Sequence, residues 1–223
     1  MTYAISDLHG HYDAYIAMLH RIQFSENDTL YVLGDSIDRG AEGIKILFDM
    51  MGRNNVIPFW GNHEYRMFQM LQTYPTINPQ YTQRFHNWRS DGGEVTYQAF
   101  LALNDIEKNC LLAYMKKLFI RKKLTVNNHC FHLSHTIPER SIMHNRLQVN
   151  AKDFLLGEPD YELCYYKNCK LITGHTPTHL IDKRYRGRIY QKNNHIAIDC
   201  GCGYPNGQLG CICLNTMEEF YVH

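Results

Sequence analysis

Residues 29–40 read TLYVLGDSIDRG: an apolar, β-forming run from Thr29 to Leu33 passes directly into a polar loop bracketed by Gly34 and Gly40. Such a run, bounded by turn residues, predicts a strand buried in a sheet whose end carries the polar side chains. The pattern recurs on both sides, in YAISDLHG at residues 3–10 and VIPFWGNHE at residues 56–64. Between these segments, Tyr12, Tyr15, Ile16, Leu19 and Ile22, then Ile44, Leu47, Phe48 and Met51, recur at helical spacing, and Met67, Phe68 and Leu71 follow the third strand. The order βαβαβα implies a parallel or mixed sheet with right-handed crossovers.

In open α/β sheets ligands bind beyond the carboxyl ends of the strands. Ser6-Asp7-Leu8-His9-Gly10, Gly34 to Gly40 and Gly61-Asn62-His63-Glu64 should therefore open onto one crevice. Helices that follow these loops would aim their N-termini at the same region and favour anions there. Two later apolar runs also end in histidine loops, Leu133-Ser134-His135-Thr136 and Thr173-Gly174-His175-Thr176-Pro177. Three carboxylates, one amide and several imidazoles, without a thiolate, suit Mn²⁺, Fe or Zn²⁺ better than Ca²⁺ or Mg²⁺. Asp35, in the middle loop, could bridge two such ions, a pairing suited to in-line phosphoryl displacement.

The rest of the chain sets bounds. Its 223 residues, 44% hydrophobic and 20% charged, exclude disorder and a disulfide-stapled miniprotein. A net charge of +1 makes no electrostatic case for duplex nucleic acid or an anionic membrane as partner. Asp7 and His9 interrupt any secretory core at the N-terminus, and no apolar stretch approaches membrane-spanning length, so a cytoplasmic location is expected. In a reducing compartment the eight cysteines are expected as buried thiols rather than disulfides. Cys200/Cys202 and Cys211/Cys213 flank a turn, so each pair is expected on one face of a hairpin strand, and their spacing is too short for the usual four-thiolate zinc site. Residues 65 to about 123 read as a helical insertion. Strand-like runs follow at Thr125–Leu133, Lys170–Thr173, Arg188–Tyr190, His195–Asp199 and Cys211–Leu214.

DLHG, GDSIDRG, GNHE, a later SH and GHTP, in that order, resemble the phosphoprotein phosphatase family in its bacterial-like form, within the calcineurin-like metallophosphoesterases. The resemblance implies one α/β domain of two mixed β-sheets in a sandwich flanked by helices. It implies that Asp7, His9 and Asp35 hold one divalent ion, and Asp35, Asn62, His135 and His175 a second. Mn²⁺ is the expected metal, with Fe or Zn²⁺ as alternatives. His63 would act as general acid with Asp38 beside it, and Arg39 would grip the phosphate, with Asn62 near the substrate.

Two departures stand out. Trp60 occupies the position before GNHE where many relatives carry arginine, and the only arginines between His135 and His175 are Arg140 and Arg146. Either could supply the second phosphate contact. The implied function is metal-dependent phosphomonoester hydrolysis, with phosphoserine or phosphothreonine in proteins, or another small phosphoester, as substrate. A symmetrical dinucleoside-polyphosphate hydrolase is the first alternative, since such enzymes commonly lack that arginine. A non-catalytic metal-binding sensor or scaffold is the second. His11, His20, His86, His129, His132 and His195 are read as surface or core residues outside the site.

Overall fold

The computed structural model describes residues 1–72, 79–138 and 149–223. Among the described residues, ten strands form two five-stranded sheets. The first contains β1 (Thr2–Ile5), β2 (Thr29–Val32), β3 (Val56–Pro58), β9 (Leu209–Cys213) and β10 (Glu219–Val222), in the order β10-β9-β1-β2-β3. The second contains β4 (Arg121–Val126), β5 (His129–Ser134), β6 (Lys170–Thr173), β7 (Tyr190–Lys192) and β8 (His195–Ala197), in the order β4-β5-β6-β8-β7. Both sheets are mixed: β1, β2 and β3 run parallel, as do β5, β6 and β8, and antiparallel strands complete each sheet.

Strand alternation builds the layers. Along β1, Ala4 faces the second sheet and packs with Tyr31, Leu33, Phe131, Leu133, Ile172 and Ile196, whereas Tyr3 and Ile5 face outward. The outward set packs with Leu30, Val32 and the buried face of α1 (Tyr12–Arg21), including Tyr15 and Met18. A third apolar cluster joins α2 (Gly43–Met51) and α3 (Asn62–Gln72) to α4 (Pro79–Trp88), α5 (Glu94–Leu101) and α6 (Asp105–Met115). Asn104 and Glu107 form a reciprocal capping box at the start of α6.

The helical segment starts three residues before the expected 65 and ends before the expected 123. Helix α3 begins at Asn62, where the Asp35 carboxylate accepts the His63 N–H at 3.0 Å and caps it. At the other end Arg121, Lys122 and Lys123 belong to β4, an edge strand whose charged residues discourage pairing with another chain. The expected Cys200/Cys202 strand does not form: β8 and β9 lie in different sheets, so the chain between them crosses from one to the other. Cys200 consequently packs between the sheets and Cys202 in the outer cluster, while Cys211 and Cys213 do share one face of β9. The expectation of thiols without disulfides is also corrected. Cys130 and Cys169 are bonded because they precede the registered pair Phe131 and Lys170, which leaves their Cα atoms 4.6 Å apart. Among the described residues no helix is long and apolar enough to cross a membrane.

His195 is buried in β8, with Nε2 2.8 Å from the Thr173 hydroxyl and its ring stacked on Tyr161. Burial lowers its pKa to about 4, against about 6.5 in an unfolded chain. The unfolded state therefore binds the extra proton first, and stability present above pH 6.5 is lost as pH falls toward 4. Replacing His195 by Phe should remove this contribution, about 1.4 kcal/mol per pH unit at most, from the acid limb of the stability profile. Urea titrations of both proteins at pH 7 and pH 5 check this; identical pH dependence would show that His195 does not set it.

Candidate metal centre

The loops after β1, β2, β3, β5 and β6 converge, and their backbones share an unusual conformation. Asp7, His9, Asp35, Asp38, Arg39 and His175 all have φ between 43° and 71°, in the left-handed region that costs a side chain of this kind free energy unless neighbouring structure enforces it. Packing supplies the enforcement. A Cβ on Gly61 would lie 2.1 Å from Asp35 Oδ1, and one on Gly174 2.1 Å from Asp7 Oδ2, so both loops can approach these carboxylates only as glycine.

At the centre is Asp35. Its Oδ1 accepts the N–H at the start of α3, and its Oδ2 faces three imidazoles: His135 Nε2 at 3.4 Å, His63 Nε2 at 3.9 Å and His9 Nε2 at 4.0 Å. The outer nitrogens are already engaged, with His135 Nδ1 2.7 Å from the Leu33 carbonyl and His9 Nδ1 3.2 Å from that of Ile37. In the neutral ring, Nδ1–H donation to a carbonyl leaves the Nε2 lone pair aimed inward, the tautomer a metal requires once it displaces any proton held there. His175 Nδ1 and Asn62 Oδ1 close the far side, 3.1 Å and 2.9 Å from His135 Nε2 and 3.0 Å from each other.

Two overlapping donor groups result, His9–Asp35–His63 and Asp35–His135–His175, sharing Asp35. Burial dominates the electrostatics. It lowers His9 to about 3 and His175 to about 4, keeping both rings neutral. It also raises the carboxyls of Asp7 to about 6 and Glu64 to about 7, with the Asp35 charge adding to both, and it raises Asp199 further. At His135, burial is outweighed by the Asp35 carboxylate, which raises the imidazole to about 10. Arg39 donates from Nη1 to His9 Nε2 at 2.8 Å. Inward-facing lone pairs and closely buried carboxylates, with a cation already drawn into the ring nitrogen, fit a pair of divalent ions.

The expected ligands His9, Asp35, Asn62, His135 and His175 are brought together. Asp7 is buried beside them, with its carboxylate accepting the His175 N–H at 3.0 Å. His63 lies at the flank, donating from Nδ1 to Asp38 Oδ2 at 2.7 Å with both side chains buried. Burial opposes its protonation, but Asp35 and Asp38 outweigh burial and raise its pKa. Arg140 and Arg146 lie outside the described residues. Trp60 is half-buried and packs edge-on to Phe68, a packing role rather than a phosphate contact.

Several supports were missed in the sequence. Trp88 is fully buried and its indole N–H donates to Asp38 Oδ2 at 2.8 Å. Thr96 accepts the Asp38 N–H at 3.0 Å, and the Gly92 carbonyl accepts the Arg39 N–H at 2.9 Å. All three come from the helical insertion, which kinks within Arg89–Gly93, where Gly92 has φ 93°. Only a long-range pairing could have revealed them. Glu64 was visible in GNHE but given no role: its carboxylate accepts N–H bonds from Asp35, Ser36 and Gly61 at 2.6–2.9 Å, binding the second loop to the third.

The calcineurin-like phosphoesterase family model matches residues 2–179, and the chain belongs to that family. Symmetrical bis(5'-nucleosyl)-tetraphosphatases of Delftia acidovorans and Citrobacter koseri are 39% and 35% identical to it over 72 residues, 31% of this chain. That match spans about a quarter of their length, 26% in each. A crystal structure described as a candidate diadenosine tetraphosphatase superposes with a TM-score of 0.68 at 15% identity, covering 99% of this chain and 92% of that one. A serine/threonine phosphatase from Saccharomyces cerevisiae superposes at 0.55 and 14% identity, covering 95% of this chain and 72% of that one. These two likenesses establish a shared fold.

Glu64→Gln replaces one acceptor oxygen by an amide that faces a backbone N–H. The variant should lose about 1–3 kcal/mol of stability, measured by denaturation in chelator so that metal binding does not contribute. An unchanged midpoint would show that the three N–H bonds do not hold the loops together.

Proposed function

We propose that this metallophosphoesterase hydrolyses the phosphoanhydride chain of a symmetrical dinucleoside polyphosphate. The observation that carries this reading is a groove of about 730 Å³ beside the metal centre. Gly10 and Gly40 border it, and His11, Tyr12, Tyr204 and His223 line it with aromatic faces. The Arg39 guanidinium lies 5.3 Å from the Tyr204 ring centroid, at the junction of groove and centre. A ligand with phosphates at the centre and a planar base in the groove would use both. Likeness to tetraphosphatases over part of the chain, and Trp60 in place of arginine, favour this reading over a protein phosphatase.

Bound divalent ions, Mn²⁺ being the first to test, would supply an activated water and neutralise the phosphate oxygens. His9, Asp35, Asn62, His135 and His175 would hold them, with Asp7 adjoining. With Nδ1–H committed to Asp38, the second proton of the His63 imidazolium lies on Nε2, which faces Asp35. Asp38 thus orients the ring and favours the imidazolium, which protonates the departing oxygen. Trp88 holds the carboxylate for that purpose. Arg39 grips the phosphate by exchanging its bond to His9 for bonds to phosphate oxygens.

A second reading, phosphoserine or phosphothreonine hydrolysis, rests on the Asp38-Arg39 pair beside His63, which would serve a phosphate monoester equally well. Phosphate release or nucleotide production should be measured in Mn²⁺, with and without chelator, from diadenosine tetraphosphate and a phosphothreonine peptide in parallel. Chelator-sensitive conversion of the dinucleotide to nucleoside diphosphate is expected. Turnover of the peptide alone would transfer the assignment to the second reading, and metal binding without turnover of either would leave a sensor. His63→Asn should lower kcat by a factor of ~10²–10⁴ with KM little changed; an unaltered kcat would remove His63 from the acid role.

A further inference from the structure

A second group of metal-ligating side chains lies outside the site described above. Cys130 and His132 stand two residues apart on β5, so both project from the same face of the second sheet. Phe131 and Leu133, which alternate with them, face the core. Cys169 precedes β6, next to Cys130 in the parallel register, and so projects from that same outer face. Sγ of Cys130, Sγ of Cys169 and a ring nitrogen of His132 lie within 4.8 Å of one another, all three residues half-buried.

The disulfide uses the two sulfurs and leaves the imidazole without a part. His132 is nevertheless fixed, its ring stacked on Tyr166 at 4.0 Å between centroids and 8° between planes. Burial and the neighbouring Lys123 and Arg121 lower its pKa. Two thiolates and a neutral imidazole are a soft, three-donor set with one position left for water, the chemistry of Zn²⁺.

We infer that the reduced protein binds one Zn²⁺ ion through Cys130, Cys169 and His132, and that the disulfide is the metal-free, oxidised form of this site. The forms interconvert when a dithiol gives two electrons and two protons to the Cys130–Cys169 bond and itself becomes a disulfide; each freed thiol then loses its proton to solvent as zinc binds. Cys130 lies on β5 five residues before His135, which follows the end of that strand, so the two residues stand roughly 15 Å apart along the chain. The inference therefore stands independently of the proposed activity.

Co²⁺ is the probe, because thiolate-to-cobalt charge transfer in the near ultraviolet cannot arise from the thiolate-free dinuclear centre. Full-length protein is reduced with a dithiol, freed of it under argon, titrated with Co²⁺ and back-titrated with Zn²⁺. One equivalent of thiolate-bound Co²⁺ is expected in the reduced protein, displaced by Zn²⁺, with none in the oxidised protein. Cys130→Ser and Cys169→Ser should abolish the band, and His132→Gln, which keeps both cysteines, should weaken Co²⁺ binding tenfold or more. Circular dichroism verifies that each variant is folded. No band in reduced protein with both thiols titratable, a band surviving both cysteine variants, or unaltered affinity in His132→Gln would each overturn the assignment.

Discussion

Everything at the centre depends on the two oxygens of Asp35 having different tasks. Oδ1 takes the N–H at the start of α3, where the helix offers unpaired donors and a partial positive charge. Oδ2 is thereby pointed at the imidazoles of His9, His63 and His135. The same contact fixes the start of α3, and with it Asn62 and His63, against the β2 loop. One carboxylate thus sets the register between the ligand loop, the helix that carries the acid and the later histidines. Glu64 reinforces this from the first turn of the helix by accepting three N–H bonds that the glycine-rich turns would otherwise leave unpaired.

The strained backbone is the cost of this arrangement. Six residues of the site lie in left-handed conformations, and such strain persists only where surrounding structure over-determines it. The two sheets and the helical insertion provide that. Trp88, Thr96 and Gly92 each hold Asp38 or Arg39 from the insertion side, while β1 and β2 hold the opposite ends of their loops. The insertion is therefore more than a cover: without it, the orientation of His63 would rest on a carboxylate lacking its other donor.

The two mixed sheets, and the loop residues that the fold brings together, were legible because both obey local rules. Strands such as Thr29–Val32 are short, apolar and β-rich, and polar residues crowd directly after them. What escaped depended on distant parts of the chain meeting. Trp88 reads as one more apolar residue on α4 until the fold places it 50 residues back against Asp38. The Cys130–Cys169 bond follows from the parallel register of β5 and β6, which neither cysteine's neighbours reveal. The false hairpin around Cys200 to Cys213 had the opposite cause: a convincing local turn hid a crossover between sheets.

The substrate question was hard for a deeper reason. A dinuclear centre with a buried imidazolium stabilises charge on any phosphoryl group presented to it, so its ligands carry little information about what lies beyond the phosphate. Discrimination must come from groups that touch the rest of the substrate, and these belong to parts of the chain remote from the motifs. Tyr204, Pro205 and His223 reach the groove from the C-terminal segment, where they meet Tyr12 at the start of α1. Arg39 connects the two regions, one face of its guanidinium toward Tyr204 and its Nη1 on His9. On the proposed reading, phosphate that drew the guanidinium inward would free the Tyr204 ring for a planar partner and so couple occupation of the centre to the groove. A nucleotide would, on that reading, present both halves of such a ligand, its phosphates to the centre and its planar base to the groove.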